Sequence, residues 1–185
     1  NSNGQLGNNT LNPASSPTKI EGISNVVNIS TGIGHVLAIT QDGKVWAWGF
    51  NYFGQVGDGR KPSWSTPQKV VGASNAIDVA AGWFHGYMLA EDGKVYGWGM
   101  GDFLGVNSYA HQAEAVPFLN LTQATQIVSG QHFGAALQNG DVYTWGSGGA
   151  LNTNLTPRID LEDCTQIASG DEFLLALKND GTVYA

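Results

Sequence analysis

Charge is scarce in this chain, with 12% of its residues Asp, Glu, Lys or Arg, and cations are scarcest of all at eight of 185. The formal net charge of −7 and the absence of a basic cluster count against nucleic acid as a partner, because phosphate binding needs a concentrated basic footprint. A single cysteine, Cys164, cannot build a disulfide framework within these residues; it reads as a small buried hydrophobe. No run approaches the ~18 apolar residues of a membrane-crossing helix, and no targeting or lipidation motif is present, so membrane insertion is not expected. Glycine, by contrast, is abundant at 26 residues, without a collagen period. With 42% hydrophobic residues the chain belongs among globular proteins.

What the glycines punctuate is a repeat. Gly32, Gly82, Gly130 and Gly170 stand 50, 48 and 40 residues apart, and each opens the same ordered pattern. A planar ring follows three residues later (His35, His85, Phe133, Phe173). Next come an apolar run, an Asp-Gly or Asn-Gly pair (Asp42-Gly43, Asp92-Gly93, Asn139-Gly140, Asp180-Gly181), and a strand-forming segment such as Val45-Trp46-Ala47-Trp48-Gly49. Asp-Gly and Asn-Gly accept the positive φ angles of tight primed turns, so each copy predicts a β-hairpin. Both strands are apolar at nearly every residue, as a sheet covered on both faces requires. A period of this length points to propeller blades or a solenoid.

These motifs carry a family resemblance. Asn1-Ser2-Asn3-Gly4-Gln5-Leu6-Gly7 and Asn51-Tyr52-Phe53-Gly54-Gln55-Val56-Gly57, the prolines Pro17, Pro67, Pro117 and Pro157, the Gly-x-x-His of His35 and His85, and the Asp-Gly-x-Val-x-x-Trp-Gly closes resemble the regulator-of-chromosome-condensation repeat family. The resemblance implies an all-β chain: a β-propeller of four-stranded antiparallel blades, about four present, forming part of a seven-bladed ring. Residues 1–185 then form one partial propeller with repeats at approximately 1–49, 50–99, 100–146 and 147–185. Asn1 matches Asn51, and Tyr184-Ala185 stops where Trp-Gly would follow. The pattern therefore predicts a piece of a longer protein, its ring closed by the remaining blades of the same protein or by a second chain.

Several residues invite a chemical reading. Arg60, Lys61 and Trp64 could stack on a base or sugar, but two cations in so acidic a chain are a solvated loop. His111 and Glu114 lack further ligands at zinc or calcium spacing, and repeat four's acids, Asp160 to Glu172, read first as a solvated face. At the ring slot imidazole exchanges with phenyl, so a planar packing group is required there and the histidines are not expected to catalyse. No catalytic, cofactor or metal site is expected. Four sequons, at Asn8, Asn28, Asn120 and Asn154, tilt the reading toward a secreted or surface protein.

The residues between the leading glycine and the ring slot differ from copy to copy while their flanks hold: Ile33-Gly34, Trp83-Phe84, Gln131-His132 and Asp171-Glu172. A propeller repeats the same loop around one rim, so Ile33, Trp83, Phe84, Gln131, His132, Asp171 and Glu172 are expected to form one partner-binding face with Trp83 as its anchor. The function expected is a non-catalytic interaction or scaffold module with a protein partner. One alternative is a propeller-based enzyme, or a light or ligand sensor, with its site at the channel or at Trp83. Gly82-Trp83-Phe84-His85 resembles the Gly-Trp-Arg-His-Thr motif of plant UV-B photoreceptors in that family, departing from it at Phe84 and Gly86. A further alternative is nucleotide exchange on a small GTPase, which in the family rests on an inserted wedge that these residues lack.

Overall fold

The structure, a computed structural model, describes residues 1–104, 110–118, 121–146, 156–157 and 161–185. Fifteen strands make four separate antiparallel sheets, and there is no α-helix among the described residues. The first sheet joins β1 (Val26–Thr31), β2 (His35–Thr40), β3 (Val45–Gly49) and β4 (Trp64–Lys69) in that order. The second joins β5 (Ala76–Ala81), β6 (His85–Ala90), β7 (Val95–Gly99) and β8 (Gln112–Pro117). The third holds β9 (Ala124–Ser129), β10 (Phe133–Gln138), β11 (Asp141–Gly146) and β12 (Thr156–Pro157), and the fourth β13 (Cys164–Ser169), β14 (Leu174–Lys178) and β15 (Val183–Tyr184). Each four-stranded sheet takes its last strand from beyond the Trp-Gly close, so sheet and sequence repeat are out of phase.

The repeated aromatics occupy equivalent strands. Trp46 and Trp48 lie on β3, Tyr96 and Trp98 on β7, Tyr143 and Trp145 on β11, and His35, His85 and Phe133 pair with Gly49, Gly99 and Gly146 in matching register. Successive sheets stack face to face. Leu37, Ile39 and Val45 of the first meet Val79, Met88 and Trp98 of the second, whereas Tyr87, Leu89 and Val95 of the second meet Ile127, Ala136 and Trp145 of the third. Adjacent residues of β6 thus serve opposite cores, which explains apolar strands without alternation.

The first strands of the sheets pack side by side as a hub, β1 against β5, β5 against β9 and β9 against β13. Each is bulged near its start, as between Val26 and Asn28 and between Ala76 and Asp78. A bulge bends an edge strand away from further pairing and so protects the hub. Side chains lock neighbouring hub strands together: Asn28 donates to Asp78 at 2.9 Å, and Gln126 both donates to the Ile167 carbonyl and accepts from its N–H at 2.8 Å.

The hairpin turns differ from expectation in one respect. Only Asn139-Gly140 is a two-residue turn with both φ positive, at 56° and 87°, joining Gln138 directly to Asp141. The other three carry one more residue: Thr40, Ala90 and Lys178 each accept from the glycine N–H and donate to the carbonyl two residues after the Asp, and of each Asp-Gly pair only the glycine has positive φ. This three-residue loop leaves Asp free to cap it, as Asp180 does by accepting the Thr182 N–H at 2.9 Å.

Candidate functional site

The loops β1–β2, β5–β6, β9–β10 and β13–β14 all leave the same end of the sheets, opposite the hairpin turns. Their leading glycine is a steric requirement. A Cβ on Gly32, Gly82, Gly130 or Gly170 would lie 2.0–2.5 Å from the ring at the slot three residues on, so the ring folds back over a bare backbone. The glycine N–H donates to the ring residue's carbonyl in all four loops, at 2.9–3.0 Å. The two residues between form the tip of the loop.

Neighbouring loops are tied to one another. The Trp83 N–H donates to the Gln131 carbonyl at 3.2 Å and the Gln131 N–H to the Asp171 carbonyl at 2.7 Å. Gly32 presses on the Gly82 carbonyl, where a Cβ would come within 2.1 Å. Ile33 is 58% exposed, Asp171 and Glu172 are exposed, and Trp83, Phe84, Gln131 and His132 are half-buried. Trp83 lies edge-on to Phe84 at 6.1 Å and to His132 at 4.9 Å, and His132 also meets Phe103 at 4.8 Å. The structure brings Trp83, Phe84 and His132 into side-chain contact, with Gln131 and Asp171 joined through the main chain and Ile33 at one end.

Sequence reasoning missed the outer half of this surface. The β3–β4 loop opens at the same end, and Asn51 clasps it: its Nδ2 donates to the carbonyls of Arg60 and Pro62 at 3.1 and 2.9 Å, and its Oδ1 accepts from Val56 N–H. Asn1 makes the same bonds to Thr10, Asn12 and Leu6. The clasp projects Tyr52 and Phe53. Phe53 contacts Phe50, Phe84 and His111 at centroid distances of 6.3, 5.0 and 5.2 Å, and Tyr52, 67% exposed, lies at 5.1 Å on its outer side. The signal was present in the repeats: the two free positions of Asn-x-x-Gly are Ser2-Asn3 in one copy and Tyr52-Phe53 in the other.

The ring-slot histidines are sealed away from solvent. Burial holds His35 down to about 4 and His85 down to about 3, with the neighbouring imidazole His35 lowering His85 further. His85 Nε2 is hydrogen bonded to Ser129 Oγ at 2.9 Å, whereas the His35 ring meets the main chain of His85 and no side-chain partner. Neutral, enclosed rings of this kind cannot reach a substrate. Phe173 in the same slot is 59% exposed, because no following sheet covers it among the described residues.

Other sequence candidates are accounted for locally. Trp64 opens β4, where its indole N–H donates to Asp58 at 2.8 Å beneath Arg60. His111 packs on Phe53 and accepts from Gly101 N–H, and among the described residues no three His, Cys, Asp or Glu side chains converge. Cys164 is buried, which raises its thiol pKa. Asn28 is engaged with Asp78, while Asn120, Asn154, Asp160 and the openings around 105–109 and 147–155 lie outside the described residues. No described helix is long and apolar enough to cross a membrane.

The family description "Regulator of chromosome condensation (RCC1) repeat" matches residues 1–39 and 42–89, and a second description of the same repeat matches 26–55 and 76–103. A 53-residue stretch is 45% identical to the ultraviolet-B receptor UVR8 of Arabidopsis thaliana, covering 28% of this chain and 12% of that protein. Human WBSCR16 superposes with a TM-score of 0.84 at 22% identity, over 98% of this chain and 54% of its own. Yeast RCC1 (Prp20), solved bound to Kap60, superposes with a TM-score of 0.71 at 23% identity, over 86% and 44%. The chain thus spans about half the length of these solved β-propellers. None of these likenesses bears on the secreted location that the sequons suggested.

Proposed function

The chain belongs to the regulator of chromosome condensation repeat family, whose two descriptions together cover residues 1–103, and on that premise we propose that it is a non-catalytic interaction or scaffold module presenting one loop face of its propeller to a protein partner. The observation that carries this reading is the arc of tied loops. The glycine and ring of each loop hold the architecture, while the pairs between them vary from copy to copy, with Ile33, Asp171 and Glu172 exposed and Trp83, Phe84, Gln131 and His132 half-buried, which supports reading them as one face. A half-buried tryptophan seated between other rings suits an interface anchor, since large aromatics dominate binding hot spots. Solved relatives also engage proteins: yeast Prp20 was crystallised with Kap60 and characterised for binding to Gsp1p and histones.

A sensor built on clustered tryptophans has less support, because Ile33, Gln131 and Asp171 stand where Trp83 stands in its own loop. The test is Trp83→Ala, read by calorimetric titration of the protein's partner. Weakening by ~2 kcal/mol or more with an unchanged melting temperature supports the face. Binding as tight as the parent's overturns it.

A further inference from the structure

Two loops with different jobs in the fold carry aromatic pairs where the fold asks for none. In the outer loop the clasp is complete with Ser2-Asn3, whose Asn3 N–H donates to Gln5 as Phe53 N–H donates to Gln55, at 3.1 and 3.0 Å. In the inner loop the glycine and ring suffice with Ile33-Gly34 or Asp171-Glu172 between them. Yet Tyr52-Phe53 and Trp83-Phe84 are all aromatic, and Phe53 meets Phe84 at 5.0 Å, so the two pairs fuse into one patch with Tyr52 at its open side. Tyr52 is exposed and Phe53, Trp83 and Phe84 are half-buried, so the patch offers one open ring with three partly open ones behind it, and apolar surface left open in this way marks an interaction site.

The charges of the inner loops and of the opening of the outer loop have one sign, whereas the outer loop further along carries Asp58, Arg60 and Lys61. Across residues 32–34, 50–57, 82–84, 100–104, 130–132 and 170–173 the charged residues are Asp102, Asp171 and Glu172, with no Lys or Arg. Arg60 and Lys61 stand further along the outer loop, Arg60 over Trp64 at 6.0 Å. A chain of contacts runs from Tyr52 through Phe53, Phe84, Trp83 and His132, and on through Gln131 to Asp171. We propose that this strip, aromatic at Tyr52, Phe53 and Phe84 and acidic toward Asp171 and Glu172, docks a protein segment that combines an apolar or aromatic anchor with Lys or Arg. The assignment rests on the loop-face reading above and adds to it the anchor subsite and the charge of the partner. An aromatic strip flanked by carboxylates repels nucleic acid and attracts a cationic peptide, steering its approach as well as holding it.

A selection from displayed random twelve-residue peptides tests this, run on the parent, on Tyr52→Ser/Phe53→Asn, on Asp171→Asn/Glu172→Gln and on Trp83→Ala. The first variant writes repeat one's own residues into repeat two, so its melting temperature is expected to match the parent's. Should it melt lower, Tyr52→Ser alone replaces it. The parent is expected to enrich peptides joining Trp, Phe or Leu to Lys or Arg. A synthetic peptide from that set should bind at least tenfold more weakly to the Tyr52/Phe53 variant, and at least threefold more weakly to the acid-neutralised one with a reduced salt dependence. Enrichment of acidic or uncharged peptides, enrichment of none, or equal binding by the Tyr52/Phe53 variant overturns the proposal. If only Trp83→Ala weakens binding, the loop face stands and this subsite falls; if no variant weakens binding, both fall.

Discussion

At the scale of single residues, the glycine before each variable pair and the ring after it act as one steric unit. Gly82→Ala would drive a methyl to within 2.2 Å of His85, a cost of ~1–3 kcal/mol for overpacking a closed site. Truncating the ring in the same molecule should recover part of that loss, so a double-mutant cycle of Gly82→Ala with His85→Ala is expected to show coupling; additive effects would mean that the ring and the glycine are independent. The buried imidazoles make a second prediction. An unfolded histidine titrates near 6.5, whereas folded His35 and His85 titrate at about 4 and about 3. Below pH ~6.5 the unfolded chain therefore binds protons that the native state refuses, and stability falls as pH drops, by up to ~2.7 kcal/mol per pH unit for the two together. His35→Phe/His85→Phe, which copies the Phe133 solution, should flatten melting temperature between pH 7 and pH 4.5. An undiminished acid slope in that variant would place the titrating groups elsewhere.

At the scale of elements, the hairpins were legible because Asp-Gly and Asn-Gly combine with the β-forming residues around them. The difference between two- and three-residue loops was hidden, since it turns on one spacer, Gln41 or Glu91, that no turn preference singles out. The long outer loop was legible as a motif but not as a mechanism. Asn51 replaces a missing strand ladder with side-chain bonds to three backbone groups of its loop, and Gly57 lets Trp98 donate to the Gln55 carbonyl at 2.9 Å. Asn51→Ala should cost ~1–3 kcal/mol, chiefly by leaving the buried Val56 N–H unpaired. The loop should then exchange amide hydrogens faster from Val56 to Pro62 while β6 and β7 stay protected. Unchanged exchange there would show that the loop is held by packing alone.

At the scale of the molecule, the all-β architecture of four antiparallel sheets followed from periodicity and resemblance, while the hub formed by the first strands emerged only in the structure. The candidate face followed from the sequence only in part. The inner arc could be read because its four loops share one frame, so the variable pairs stood out from Ile33 to Glu172. Its outer partner could not, because nothing in the chain order says that Phe53 lies on Phe84, 31 positions away. That contact exists only once the β3–β4 loop and the next sheet's inner loop meet at one end of the stack. Architecture thus rests on glycines, rings and the asparagine clasp, and in the proposed function the pairs they present carry recognition. The decisive measurement replaces Ile33, Trp83, Gln131, Asp171 and Glu172 together with serine, and reads thermal unfolding and partner titration on the same preparation. A melting temperature within a few degrees of the parent's alongside binding weakened a hundredfold or more, about 2.7 kcal/mol, is the expected result. Retained binding, or unfolding in place of a selective loss of binding, would contradict the division between a fixed frame and a variable face.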